Sequence, residues 1–305
     1  MNGETISGAV LDHVAHAVPS WQAVWGRYVV DLGAEWSSGG PGTGFAPAQL
    51  RFGNAARVEL LMPWAVEEND FLQRFITTNG PGPHHLTFKV PDLTSAIDKA
   101  SRSGFDPIGI DLSDPEWMEA FIHPKQATGV VVQMAEAPTG WSSPAPDDFP
   151  TGRRQRSDGV GAVHPAALRR VVHAVADLGV ATSLFVDLLG GRQTGQGVGE
   201  GDQWIDLAWD GPLALRLVSP TTPTPPADSA TPTEATTLWR WLGSRTGRIH
   251  HLEMDVEEPE HVPGARPLDA GHAIPGQSAS GDTTEATWII EPEANAGLRL
   301  ALHRF

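Results

Sequence analysis

The sequence predicts an α+β protein of four βαβββ modules, paired into two tandem domains, and three observations carry that expectation. Residues 11–19 (LDHVAHAVP) return as residues 168–176 (LRRVVHAVA). The order of strand and helix patterns restarts halfway through each copy. A run rich in Pro, Gly, Ser and charge, without periodicity, lies between the copies. An offset of 157 residues takes His13 to Arg170 and also aligns residues 58–63 (VELLMP) with 215–220 (LRLVSP). Further on, His84-His85-Leu86 recurs as His250-His251-Leu252 at an offset of 166, so the added length falls within residues 219–237.

The elements follow in order. Residues 11–18 alternate as a half-buried strand does. Ser20 is placed to cap a helix with Trp21, Val24, Trp25, Tyr28, Val29 and Leu32 on one face, and Gly33 to close it. Strand patterns come next at 48–52 and 56–62. The order then begins again with a strand at 85–90. Asp92 caps a helix carrying Leu93, Ile97 and Ala100, Gly104 ends it, and strands follow at 120–123 and 129–134. The predicted domains are residues 8–134 and 166–305, with 135–165 as linker. In the second copy Pro259, Pro263 and Pro267 interrupt the fourth helix, and the Pro/Thr-rich run at 219–237 is a disordered surface insertion.

A chain of 305 residues suits two domains with real cores, and 40% hydrophobic with 19% charged residues is a globular composition. The net charge of −16 argues against a nucleic-acid partner. No apolar run approaches the roughly 20 residues of a membrane span, and the start lacks signal-peptide character, so a cytoplasmic location is expected. Cysteine is absent, which leaves His, carboxylate and amide oxygen as the donors for any metal.

The repeat places four such donors at equivalent points. His13 and His85 lie on the first strands of the two modules, Glu59 and Gln133 on their last strands. Glu59 follows His13 by 46 residues, and Gln133 follows His85 by 48. Taken singly, the histidines read as hydrogen-bonded core residues and Glu59 as a surface residue. Together they read as metal ligands, because alternation turns Glu59 inward, where an unpaired carboxylate is costly. The same alternation points His84 away from the site, and His16 reads as structural.

The motifs LDHVAHAVP, VELLMP, HHLTFKVPDL and FIHPKQATGVVVQ together resemble the vicinal oxygen chelate (glyoxalase/bleomycin resistance/dioxygenase) superfamily, most closely its methylmalonyl-CoA epimerases. The resemblance covers the first domain. It implies two tandem vicinal oxygen chelate domains and one divalent ion (Co, Ni, Mn, Zn or Fe) on His13, Glu59, His85 and Gln133. It further implies isomerase, epimerase or lyase chemistry on a small carbonyl or carboxyl substrate through a metal-stabilised enolate, with Glu59 and Gln133 catalytic. Lys125, in the His123-Pro124-Lys125 loop, and Trp64, just past the Glu59 strand, are candidates for substrate contact. Two departures stand out. Gln133 occupies a position where the family has Glu, and residues 37–47 (SSGGPGTGFAP) hold no acid where the family carries a proton shuttle. Two other readings stay open: a non-heme Fe(II) ring-cleaving dioxygenase, and a non-catalytic antibiotic-binding protein whose 11 Trp residues would stack on a planar ligand.

The second copy has Arg170, Arg216, His251 and Ala301 at the four positions, and two arginines exclude a cation. Either they bind a small anion, or neighbouring carboxylates neutralise them. The expected partners are a small-molecule substrate and, as monomer or homodimer, a second domain that packs on the first as an internal pseudo-dimer.

Overall fold

The computed structural model describes residues 4–137, 142–199, 201–222, 234–268, 274–276 and 287–305. The first sheet is built from β1 (Val10–Ala17), β2 (Glu35–Gly39), β3 (Gly44–Arg51), β4 (Arg57–Trp64), β5 (Gly82–Lys89), β6 (Pro107–Asp111), β7 (Met118–Ile122) and β8 (Val131–Glu136). Its order is β2-β3-β4-β1-β5-β8-β7-β6. β1 and β5 run antiparallel at the centre, while β1 pairs parallel with β4 and β5 parallel with β8. This is two βαβββ modules joined along their first strands.

The second sheet repeats the order with β9 (Ala167–Val175), β10 (Arg192–Val198), β11 (Asp202–Ala208), β12 (Ala214–Pro220), β13 (Gly247–Val256), β14 (Arg266–Pro267), β15 (Trp288–Ile290) and β16 (Leu300–Arg304). The helices are α1 (Gln22–Trp25), α2 (Phe71–Asn79), α3 (Leu93–Arg102), α4 (Leu178–Thr182) and α5 (Glu234–Leu242). Where α3 stands in the first half, the second has a 3-10 turn at Pro259–His261, as its prolines require. The insertion expected at 219–237 and the linker expected at 135–165 fall partly outside the described residues. Among the described residues no helix is long and apolar enough to cross a membrane.

Ser20 does not cap the first helix. The helix begins after Trp21 without a side-chain cap, then widens into a π-helical stretch at Gly26–Asp31. The wider turn still keeps Trp21, Val24, Trp25, Tyr28, Val29 and Leu32 buried. Gly33, at φ +71°, closes it by donating to the Val29 carbonyl. The second half repeats the device with a π-helical stretch at Ser183–Leu188 after α4. Asp92 does cap α3, its carboxylate accepting the Ser95 amide at 2.9 Å.

The halves share one continuous hydrophobic core, in which Phe88 packs on Phe185 and Trp209. They meet along two seams related by the repeat. His16 donates Nε2–H to the Ala296 carbonyl at 2.8 Å and accepts at Nδ1 from Tyr28 Oη at 3.0 Å. Its counterpart His173 reaches the Thr128 carbonyl at 3.0 Å. Thr128 and Ala296 both lie in the left-handed region. Each is followed by a glycine pressed on the other half's backbone: Gly129 against Gly247, and Gly297 against Pro81 and Gly82.

Candidate metal centre

Pairing between β1 and β5 is interrupted twice, and both interruptions shape the site. The register slips between Leu11 and His13, leaving Asp12 as an extra residue, and again between His85 and Pro83, leaving His84. Each slip is a β-bulge, which lets two consecutive side chains reach one region instead of opposite faces. At the first bulge Asp12 Oδ2 lies 2.9 Å from His13 Nδ1 and also takes a bond from Arg57. The bonded Nδ1–H leaves the lone pair on Nε2, turned toward Glu59. At the second bulge the Nδ1 atoms of His84 and His85 are 2.9 Å apart. His84 therefore does not point away from the site as strict alternation predicts. It lines the same cavity as His85 and packs against Phe75.

His13, Glu59 and His85 are all buried, and their ligand atoms lie within 4.8 Å of one another. The Nε2 atoms of His13 and His85 are buried without hydrogen-bond partners. Glu59 Oε2 stands 3.6 Å from one and 3.5 Å from the other, too far for strong bonds. Two imidazole Nε2 atoms without partners and a carboxylate oxygen around a small gap are the donor set of a divalent ion that displaces the His13 proton, so these residues fit one. Gln49 Nε2 is 3.5 Å from Glu59 Oε1.

Without an ion, a proton on His13 takes the cation's place in this set. Burial opposes charge on His13, but the negative charges of Glu59 and Asp12 outweigh it and hold the imidazole up at about 9. Burial drives His85 down to about 3 against the pull of Glu59. Glu59 is held below its usual range despite burial, because His13 and His85 stand beside it.

Gln133 is placed differently from the other three. Its Oε1 accepts from Thr87 at 2.5 Å, and its Nε2 donates to Glu119 at 2.7 Å. It borders the cavity with its amide committed to those two neighbours. The cavity has a volume of about 510 Å³, and its walls alternate along the strands: Phe45, Pro47 and Gln49 on β3, Trp117, Glu119 and Phe121 at β7. Glu119 is a second carboxylate in this space. Burial raises its pKa against the bonds from Trp117 and Gln133, and Glu59 adds repulsion. Starting β7 at residue 120 hides it; the alternation 117, 119, 121 reveals it. Asp12 was likewise readable only as a strand residue facing away from His13.

Neither Trp64 nor Lys125 lines the cavity. Trp64 ends β4 beyond the wall and is about half exposed, and Lys125 sits on an exposed turn. Aromatic wall positions fall instead to Phe45, Phe71, Trp117 and Phe121.

In the second half Arg170 and Arg216 converge, but on two carboxylates. Asp206 takes Arg170 at 2.8 Å and Arg216 at 2.7 Å, and Glu253 takes Arg170 at 2.5 Å. Strand register equates Asp206 with Gln49 and Glu253 with Thr87. The two guanidiniums and their counter-ions thus occupy the positions that the candidate ligands and their neighbours hold in the first half. The anion considered for this cleft has no unmatched guanidinium to meet.

Comparison with known proteins agrees with this architecture. The profile of the Glyoxalase/Bleomycin resistance protein/Dioxygenase superfamily matches residues 12–118. An ethylmalonyl-CoA/methylmalonyl-CoA epimerase from Cereibacter sphaeroides is 29% identical over 134 residues, which is 41% of this chain and 96% of that protein. A methylmalonyl-CoA epimerase structure from Mycobacterium tuberculosis is 27% identical, covers 42% of this chain and 88% of its own, and has a TM-score of 0.39. A mutant 4-hydroxymandelate synthase from Streptomyces coelicolor is 13% identical, with a TM-score of 0.63, over 97% of this chain and 92% of its own; that likeness is one of fold. Residues 12–118 thus match the Glyoxalase/Bleomycin resistance protein/Dioxygenase superfamily, as one domain within a tandem fold.

Proposed function

We propose that the protein is a metal-dependent isomerase, epimerase or lyase acting on a small carbonyl or carboxyl substrate in the first-half cavity. The observation that carries this reading is the pair of orphaned Nε2 atoms facing Glu59 at the cavity floor. His13, Glu59 and His85 would hold a divalent ion, which supplies Lewis-acid polarisation of two neighbouring substrate oxygens. Asp12 keeps His13 in the tautomer that presents Nε2. Phe45, Leu61, Phe71 and Phe121 exclude water from the substrate. Glu59 takes the proton next to the carbonyl on a carboxylate oxygen, and Gln133, bonded to Thr87 and Glu119, holds the Glu119 carboxylate in place at the cavity wall. The likeness to an ethylmalonyl-CoA/methylmalonyl-CoA epimerase supports a 2-substituted malonyl thioester as the first substrate to try.

Protein purified without chelator should carry about one divalent ion per chain, and Glu59→Gln should lose it. Loaded with Co, Mn or Zn, the protein should exchange the carbon-bound proton of methylmalonyl-CoA with deuterium from solvent. Absence of bound metal together with unchanged behaviour of Glu59→Gln would sink the proposal. A second reading has its own support. With Gln133 committed to Thr87 and Glu119, the remaining two histidines and one carboxylate are the triad that holds non-heme Fe(II). Oxygen uptake with catechols after anaerobic Fe(II) loading, without deuterium exchange, would favour that reading over the first.

A further inference from the structure

A second cavity, of about 350 Å³, lies where the two halves meet, behind the His84 wall of the metal-centre cavity. The first half lines it with Phe75, Asn79 and the loops around Gly80 and Pro124, the second with Arg245, Arg248 and Gly297. No Asp or Glu is among its lining residues, in a chain with 37 acidic residues against 21 basic ones. Among the described residues neither Arg245 nor Arg248 forms an ion pair. The charged neighbours of half-buried Arg248 are two further cations, Arg245 and Arg299, which with burial lower its pKa.

This arrangement is built. Arg248 lies over the Trp241 ring, 4.3 Å from its centroid, so its planar fork is held in one orientation. Arg299, over the same ring, is matched by Glu291 at 2.7 Å and 2.9 Å. Arg248 has the same support and, among the described residues, no carboxylate. A half-buried guanidinium without a counter-ion is costly, and an anion in the cavity removes that cost. The space exceeds one hydrated ion, since a water takes roughly 30 Å³ of liquid. We infer that the cavity between the halves, walled by Arg245 and Arg248, is a binding site for a phosphoryl anion. Guanidinium forks match phosphoryl oxygens in pairs, and two of them suit a diphosphate better than a single carboxylate. The site stands independently of the metal centre.

Titration calorimetry of the full chain at low ionic strength tests it with two probes, inorganic pyrophosphate and ADP. Pyrophosphate should bind, and Arg245→Gln with Arg248→Met should weaken it at least about tenfold, as loss of charge-assisted bonds requires. Arg245 is exposed, so Arg245→Gln alone should fold and still weaken binding. Arg192→Gln removes the same charge from an exposed residue paired with Asp210 and should leave binding unchanged. Glu59→Gln should also leave it unchanged, which separates this site from anion capture at the metal centre. ADP binding more tightly than pyrophosphate assigns the cavity to the phosphoryl part of a larger ligand, and equal affinities assign it to the free anion. Failure of both probes to bind, or equal weakening in Arg192→Gln, overturns the inference.

Discussion

At His13 the position of one proton decides what the ring can do. Asp12 accepts Nδ1–H and is itself pinned by Arg57 at 2.9 Å and 3.0 Å, so Nε2 is left to face Glu59. A carboxylate behind a ligating imidazole fixes its orientation and raises its basicity, and losing such a partner typically weakens metal binding about 10–100-fold. Asp12→Asn should therefore lower divalent-ion affinity by that order in competition with a fluorescent chelator, with the thermal unfolding midpoint nearly unchanged. Unaltered affinity would show that Asp12 serves only the Arg57 pair. At this scale the sequence was informative where residue type and repeat coincided. His13, Glu59 and His85 stood at equivalent points of two modules, and the structure brings them together. Asp12 and Glu119 were missed because their access to the site depends on a bulge and on where β7 begins. Trp64 is suggested by its place just past the Glu59 strand and Lys125 by the likeness of its loop to the family's, and neither signal says which side of a strand's end faces the cavity.

The elements were legible as far as they are regular. Strand order and the module repeat follow from alternation and offset, which depend only on period. Bulges and π-helical stretches break the period by one residue and leave no compositional mark. Both recur in the second half: β13 slips at His250 as β5 does at His84, and the stretch after α4 widens as the one after α1 does. The seam glycines are a third such feature. A Cβ on Gly247, the first residue of β13, would lie 1.9 Å from the Thr128 carbonyl oxygen, with backbone on both sides of it. Gly247→Ala must push the halves apart, so it should destabilise by about 1–3 kcal/mol in urea unfolding, the usual range for overpacking. Gly26→Ala, where nothing lies within 4 Å, should stay within about 1 kcal/mol of the parent protein. Equal effects would mean that the seam yields without cost.

For the whole molecule, the two seams join the halves and tie stability to acid. His16 and His173 are fully buried at equivalent seam positions, and burial lowers each to about 4 from 6.5, despite their bonds to the opposite half's backbone. The unfolded chain therefore binds a proton at each below pH 6.5, while the folded chain does not until about pH 4. The unfolded state binds more protons in that window, so stability rises with pH and is lost as pH falls from 6.5 toward 4. Each residue contributes on the order of 3 kcal/mol at most across that range. His13 adds nothing to this slope, because it is charged in both states below 6.5; its own contribution is lost only as pH rises toward about 9. The half-buried His84 and the buried His85, lowered to about 4 and about 3, steepen the same acid limb. Urea midpoints measured between pH 7 and 4 should fall steeply, and His16→Gln with His173→Gln should flatten the fall while reducing stability at pH 7. Gln keeps a donor for the Ala296 and Thr128 carbonyls without titrating, so the flattening isolates the protonation from the lost packing. An unchanged slope in that double variant would place the acid sensitivity at His84 and His85 and not at the seams.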